Sequence, residues 1–191
     1  MQNLGYLGTS MVQSKSAREI LSPTVSLLEH GYDVRLRPGS APGDGNCLFH
    51  SLTFLLQKED FVCPHRHTTA QSLRAIVAQT VLIDHPRFFS ACEFWKAVCD
   101  DNEFEFYRPF KNEPLPLSEK SRQKLHDIML SSNKYWGDQY SLDMLSTILK
   151  LNIVVYNNYS AKIIAPGKHV LPRTTLFLNL SRNHYSPLFK V

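Results

Sequence analysis

The chain has little that would tie it to a membrane, to nucleic acid or to a disulfide framework. Its four cysteines, Cys47, Cys63, Cys92 and Cys99, make no tight C-x-x-C pair. A chain of this size needs no disulfides to hold its fold, so a reducing compartment is expected. No apolar run reaches the roughly 20 residues that span a bilayer. The opening MQNLGYLGTSMVQSKSAREIL lacks the basic flank and continuous apolar core of a secretory signal. No block of like charge stands out: 21 basic and 17 acidic residues are scattered along the chain, for a net charge of +4. Neither nucleic acid nor a membrane surface is therefore an expected partner. No internal repeat is present. What remains is one globular unit, because 191 residues at 43% hydrophobic content bury one sizeable core and are too few for two full domains. Residues 1–25 read as a flexible lead-in and residues 26–191 as a single domain, expected to be a cytoplasmic monomer.

The periodicity changes along the chain. Leu48, Leu52, Leu55 and Leu56 make a helical stripe that starts at Cys47. Thr68 with Gln71 reads as a capping box for a helix burying Leu73, Ile76, Val77 and Val81, closed by His85-Pro86. A further helical piece carries Phe94, Trp95 and Val98, and the proline-rich PFKNEPLPLS is a loop. Ser118 caps a helix burying Leu125, Ile128 and Met129, and Ser141 caps another burying Leu142, Leu145, Ile148 and Leu149. The last third turns to strands: Asn152–Tyr156, Lys162–Ile164 across an Asn-Asn-Tyr-Ser turn, Thr174–Leu180, and Asn183–Phe189, the last at an edge or broken by Pro187. Helices first and strands last imply an α/β (α+β) fold with helices packed on a small sheet.

One stretch carries chemistry. In GDGNCLFH, residues 43–50, Gly43 and Gly45 permit a tight loop with inward-turned amides, and Cys47 opens the helix. Unpaired N–H groups and the helix dipole at that point favour a thiolate, and the same amides suit an oxyanion. A small buried cysteine starting a core helix is the structural alternative. A nucleophile needs a base. Of the eight histidines, His184 in NHYSPLF is best placed, at the start of a late strand. His50, on the nucleophile's own helix, reads as structural or supporting.

These residues resemble the catalytic-cysteine motif of the ovarian-tumour (OTU) cysteine proteases, Asp44-Gly45-Asn46-Cys47-Leu48-Phe49-His50. Two further segments are similar to that family's in the same order: Tyr135-Trp136-Gly137-Asp138 through Leu142, Leu145, Ile153 and Tyr156, and His184-Tyr185. The resemblance implies a papain-like fold, a small central sheet packed between helices, that cleaves isopeptide bonds after the C-terminal Gly-Gly of ubiquitin. It implies Cys47 as nucleophile, His184 as general base, Asp44 shaping the loop, Gly45 and Asn46 in the oxyanion loop, and Trp136 with Gly137 lining the channel for the substrate's tail. A core tryptophan beside a helix-start glycine is the structural reading of that last pair. Ubiquitin, polyubiquitin chains and ubiquitin-like modifiers are the implied partners, with no cofactor.

The pattern departs from the family just beyond the histidine. Many members carry Asn or Asp two residues on, and here Ser186 stands there. Its hydroxyl is shorter and uncharged, so Ser186 serves weakly, a residue from elsewhere serves (Asp33 is one candidate), or the site works as a dyad. A ubiquitin-binding module without activity is therefore an alternative function, and viral polyprotein processing another. The size fits a viral protein, a bacterial effector acting in a host cytosol, or a eukaryotic fragment. Cys63-Pro64-His65-Arg66-His67 holds three potential zinc ligands, but no second cluster completes a finger, so no metal is expected. The acidic run Asp100–Glu105 reads as a solvated loop, with a basic face of ubiquitin as the functional alternative.

Overall fold

A computed structural model describes residues 24–58, 67–83, 85–99, 104–158, 160–164 and 174–191. The Cys63–Arg66 cluster, Asp100–Glu103 and most of the lead-in lie outside these residues.

Six strands form one sheet in the order β1-β2-β6-β5-β3-β4. They are β1 (Val25–Ser26), β2 (Arg35–Pro38), β3 (Asn152–Asn157), β4 (Lys162–Ile164), β5 (Thr175–Ser181) and β6 (His184–Lys190). Among the described residues only the β3–β5 pair is parallel. The first two strands escape the periodicity of the sequence because β1 has two residues and β2 alternates two exposed arginines with the buried Leu36. β6 is interior, between β2 and β5, and Pro187 does not break it. Its nitrogen points towards the β2 side, where Gly39 N–H donates to the Pro187 carbonyl at 2.8 Å, so the β5–β6 ladder loses no bond.

Five α-helices occur among the described residues: α1 (Cys47–Lys58), α2 (Ala70–Thr80), α3 (Pro86–Val98), α4 (Glu119–Leu130) and α5 (Gln139–Ile148). Their starts follow capping chemistry, with two shifts from expectation. Thr69, not Thr68, caps α2: its hydroxyl accepts from Ser72 N–H at 3.1 Å, and Ser72 Oγ accepts from Thr69 N–H at 2.8 Å. Asp138, not Ser141, caps α5, accepting from Ser141 N–H at 3.1 Å. Ser141 lies inside the first turn, buried against the Tyr135 hydroxyl at 2.6 Å. α2 ends at Thr80, and His85-Pro86 instead opens α3, with Pro86 in the first turn and the His85 ring accepting from Arg87 N–H. Ser118 caps α4 as expected.

The sheet separates two apolar clusters. Ile153, Val155, Leu176 and Leu178 face the helices. Val154, Phe177 and Leu188 face the other way, packed with Leu27 and Leu36. Trp95 of α3 is buried among Phe106, Tyr107 and Tyr140 and donates its indole N–H to Asp138 at 2.8 Å. Core packing thus fixes the Tyr135–Asp138 segment. That segment reaches the start of α1.

Candidate active site

The site is assembled from the start of α1, the Tyr135–Gly137 segment and the start of β6. Asn46 accepts the first intrahelical bond of α1, from His50 N–H at 2.8 Å, and so holds the cap position. A capping asparagine ordinarily turns its side chain onto its own helix's free N–H groups. Here the Asn46 Oδ1 accepts from Arg74 Nε at 2.7 Å instead. Among the described residues no acceptor takes the Cys47 N–H. The helix therefore presents a free amide beside its thiol.

Gly45 is the residue of the loop that must be glycine. Its φ is +80°, and a Cβ there would overlap the Ser132 carbonyl. Gly43 has open space around it and no positive φ. The Asp44 carboxylate binds the loop from within, accepting from Asn46 N–H at 2.9 Å and meeting His50 Nε2 at 3.1 Å. His50 thus braces the loop, and the Asn46 N–H is engaged rather than open to a substrate oxygen.

Those two bonds hold the Asp44 carboxyl at about 2, below the usual carboxylate range, the Asn46 amide being the larger cause. Because the folded value is depressed, this stabilisation is full above about pH 4 and fades as pH falls towards 2. The Asp44 side chain is 50% exposed, which limits the effect to under about 1 kcal/mol. We expect Asp44→Asn to lower the urea midpoint at pH 5 and to differ less from the wild type at pH 2. Equal differences at both pH values would show that the carboxylate's charge does not brace the loop.

Sequence periodicity missed Arg74. This α2 residue is fully buried, and its guanidinium reaches Gly45 O at 2.7 Å, Asn46 Oδ1 at 2.7 Å, Met129 O at 2.8 Å and Tyr135 O at 2.8 Å. It also stacks over the Phe49 ring at 4.7 Å. No carboxylate pairs with it among the described residues, and burial pushes its pKa down. One side chain thus ties α2, the glycine loop and the turn after α4 together. The signal was available: position 74 lies three, four and seven residues before Val77, Ala78 and Val81, on the buried stripe.

Cys47 Sγ accepts from the backbone N–H of Tyr185 at 3.5 Å. β2 pairs only with residues 188–190 of β6, so the Tyr185 N–H would otherwise be left at a bare edge. This contact brings the start of β6, which opens at His184, to the start of α1. Trp136 is 59% exposed, which excludes the core reading, and its indole nitrogen stands 3.3 Å from where a Gly45 Cβ would be. Gly137 lies against Leu48 of α1, whose side chain a Cβ would overlap. Ser186 Oγ accepts from Asn179 Nδ2 of β5 at 3.3 Å. Asp33 is exposed on the loop before β2 and bonds to no described residue. Among the described residues no group of three or more His, Cys, Asp or Glu is placed to hold a metal, and no helix is long and apolar enough to cross a membrane.

Residues 42–176 match the family described as OTU-like cysteine protease, a match that ends before His184. Solved structures share the fold. An OTU deubiquitinase from Wolbachia pipientis wMel aligns with a TM-score of 0.55 at 17% identity, over 84% of this chain and 91% of its own. Its ubiquitin-bound form aligns at 0.51 and 15%, over 81% and 96%. A Hazara virus OTU bound to ubiquitin aligns at 0.50 and 20%, over 89% and 87%. No curated protein sequence matches the chain.

Proposed function

Because the chain belongs to the OTU-like cysteine protease family, we propose that it is a deubiquitinase that hydrolyses the isopeptide bond after the C-terminal Gly-Gly of ubiquitin. The observation that carries this reading is the thiol of Cys47 at a helix N-terminus, in contact with the strand that begins at His184. His184 takes the Cys47 thiol proton, and the sulfur so freed is the nucleophile. It attacks the carbonyl carbon, and the oxygen gathers negative charge against the free Cys47 N–H. His184 protonates the departing lysine amine as the C–N bond breaks and a thioester remains. Water, deprotonated by His184, then attacks the thioester; the C–S bond breaks, the ubiquitin acid is released, and His184 returns its proton to the sulfur, restoring the thiol. Every proton taken is returned.

Asp44, Gly45 and Asn46 shape the loop in this scheme, with Asn46 acting through its bonds and not as an oxyanion donor. The exposed Trp136 indole beside Gly45 and the close approach of Gly137 to Leu48 suit a narrow slot that admits only glycine residues. Ubiquitin, its chains and its relatives are the proposed partners, and residues 26–191 the proposed single unit. The test is hydrolysis of ubiquitin carrying a C-terminal fluorogenic amide, alongside lysine-linked diubiquitin. Release from both supports isopeptide chemistry. Binding without release at any enzyme concentration rejects it in favour of a ubiquitin-binding module.

A further inference from the structure

We propose that Asn179, on β5, positions the His184 imidazole in the place of the residue that Ser186 cannot replace. This rests on the reading of Cys47 and His184 as the reacting pair. A histidine base keeps one nitrogen for the thiol and needs an acceptor for the N–H of the other, which fixes its tautomer and ring angle. No described residue hydrogen-bonds to the His184 ring.

The sheet limits which groups can serve. Alternation along β6 puts His184, Ser186 and Leu188 on one face and Tyr185 on the other. The packing agrees, with Leu188 in the smaller cluster and Tyr185 against the helical one. Across the ladder Ser181 pairs with His184 and Asn179 with Ser186, so Asn179 is the diagonal neighbour of His184 on its own face. Diagonal neighbours lie about 7–8 Å apart, within reach of long side chains. Ser181 is exposed at the turn, and its hydroxyl is too short to hold a ring firmly.

The aromatic His184 ring supplies the reach across the diagonal, and Asn179 a free acceptor. Its amide nitrogen donates to Ser186 Oγ at 3.3 Å, and its carbonyl oxygen accepts from no described residue. Tyr156 pairs with it on the opposite side, from β3. Ser186 and Tyr156 thus confine the amide between them. Ser186 orients Asn179, and Asn179 orients the histidine. Neither need touch the substrate.

The experiment compares the wild type with Asn179→Ala, Asn179→Asp and Ser186→Ala, each first shown to keep the wild-type thermal midpoint. Two readouts are taken: the imidazole nitrogen shifts of 15N-labelled His184, and kcat and KM on the fluorogenic ubiquitin amide. Asn179→Ala is expected to release His184 from one tautomer to a mixture and to lower kcat about ten- to a hundredfold, as loss of an orienting partner does, with KM little changed. Asn179→Asp keeps an acceptor oxygen at the same length and should restore a single tautomer and most of kcat. Ser186→Ala should have the smaller effect of the same kind. An unchanged tautomer in Asn179→Ala, or equal losses in the alanine and aspartate variants, overturns the proposal. The nitrogen shifts need no turnover. An Asn179-dependent tautomer in a protein that cleaves nothing would uphold this inference while rejecting the deubiquitinase reading, and turnover indifferent to Asn179 would do the reverse.

Discussion

Replacing Cys47 by alanine is expected to abolish hydrolysis of ubiquitin amides, a loss of at least about ten-thousandfold, and to leave ubiquitin binding intact. The size follows from covalent catalysis: without the nucleophile only binding and the oxyanion amide remain, and groups that act as a unit lose nearly all activity when one is removed. Binding should survive because Cys47 is only half-buried and its thiol makes a single long contact, to Tyr185 N–H. Cys92 is the matched control. It is buried on α3, and burial pushes its thiol up to about 11, which makes it inert at neutral pH. Cys92→Ala should therefore keep turnover wherever it keeps the fold. Retained hydrolysis in Cys47→Ala would remove the proposed mechanism altogether.

Arg74→Met should cost more stability than any other single change discussed here. Methionine fills similar space but donates nothing, so Gly45 O, Asn46 Oδ1, Met129 O and Tyr135 O lose their donor together. Met129 O and Tyr135 O are buried, and each such acceptor left unpaired costs about 1–3 kcal/mol; with the half-buried pair at the glycine loop added, the loss is a large part of a total stability of about 5–15 kcal/mol. At roughly 2–4 °C per kcal/mol for a domain of this size, the thermal midpoint should fall by about 10 °C or more. Arg74→Lys should fall between the two, since one ammonium cannot reach the glycine loop and the turn after α4 at once. A midpoint within about 3 °C of wild type in Arg74→Met would show that the guanidinium is not what joins these elements.

The sequence makes the reactive loop plain because its signals are local. A glycine forced to positive φ, an aspartate bonding to the amide two residues on, and an apolar stripe opening at a cysteine all act within a few residues. The strands from Asn152 to Lys190 are legible for the same reason, as β-branched or apolar runs between turns. What stayed hidden depends on partners far away in the chain. Arg74 sits on the buried stripe of α2, but what satisfies its charge there is hidden until Tyr135, 61 residues later, supplies an acceptor. Asn179 gains its place only when β5 and β6 pair, which no periodicity along either strand reveals. β2 is likewise a strand only because β1 and β6 lie beside it. The helix starts at Thr69 and Asp138 slipped by one and three residues because several hydroxyls and a carboxylate compete locally, and only the extended backbone at one of them decides the cap. Ser141 lost that competition by being drawn into the core with Tyr135.

The central claim is that Cys47 and His184 form one thiol site reached by the tail of ubiquitin. Its most direct test is incubation with ubiquitin bearing a thiol-reactive C-terminal group, read by intact mass and by mapping the modified peptide, with His184→Ala alongside. One ubiquitin added per chain is expected, on Cys47, at a rate that drops sharply when His184 is replaced. No adduct, an adduct on another cysteine, or an adduct on Cys47 that forms as fast without His184 would contradict it.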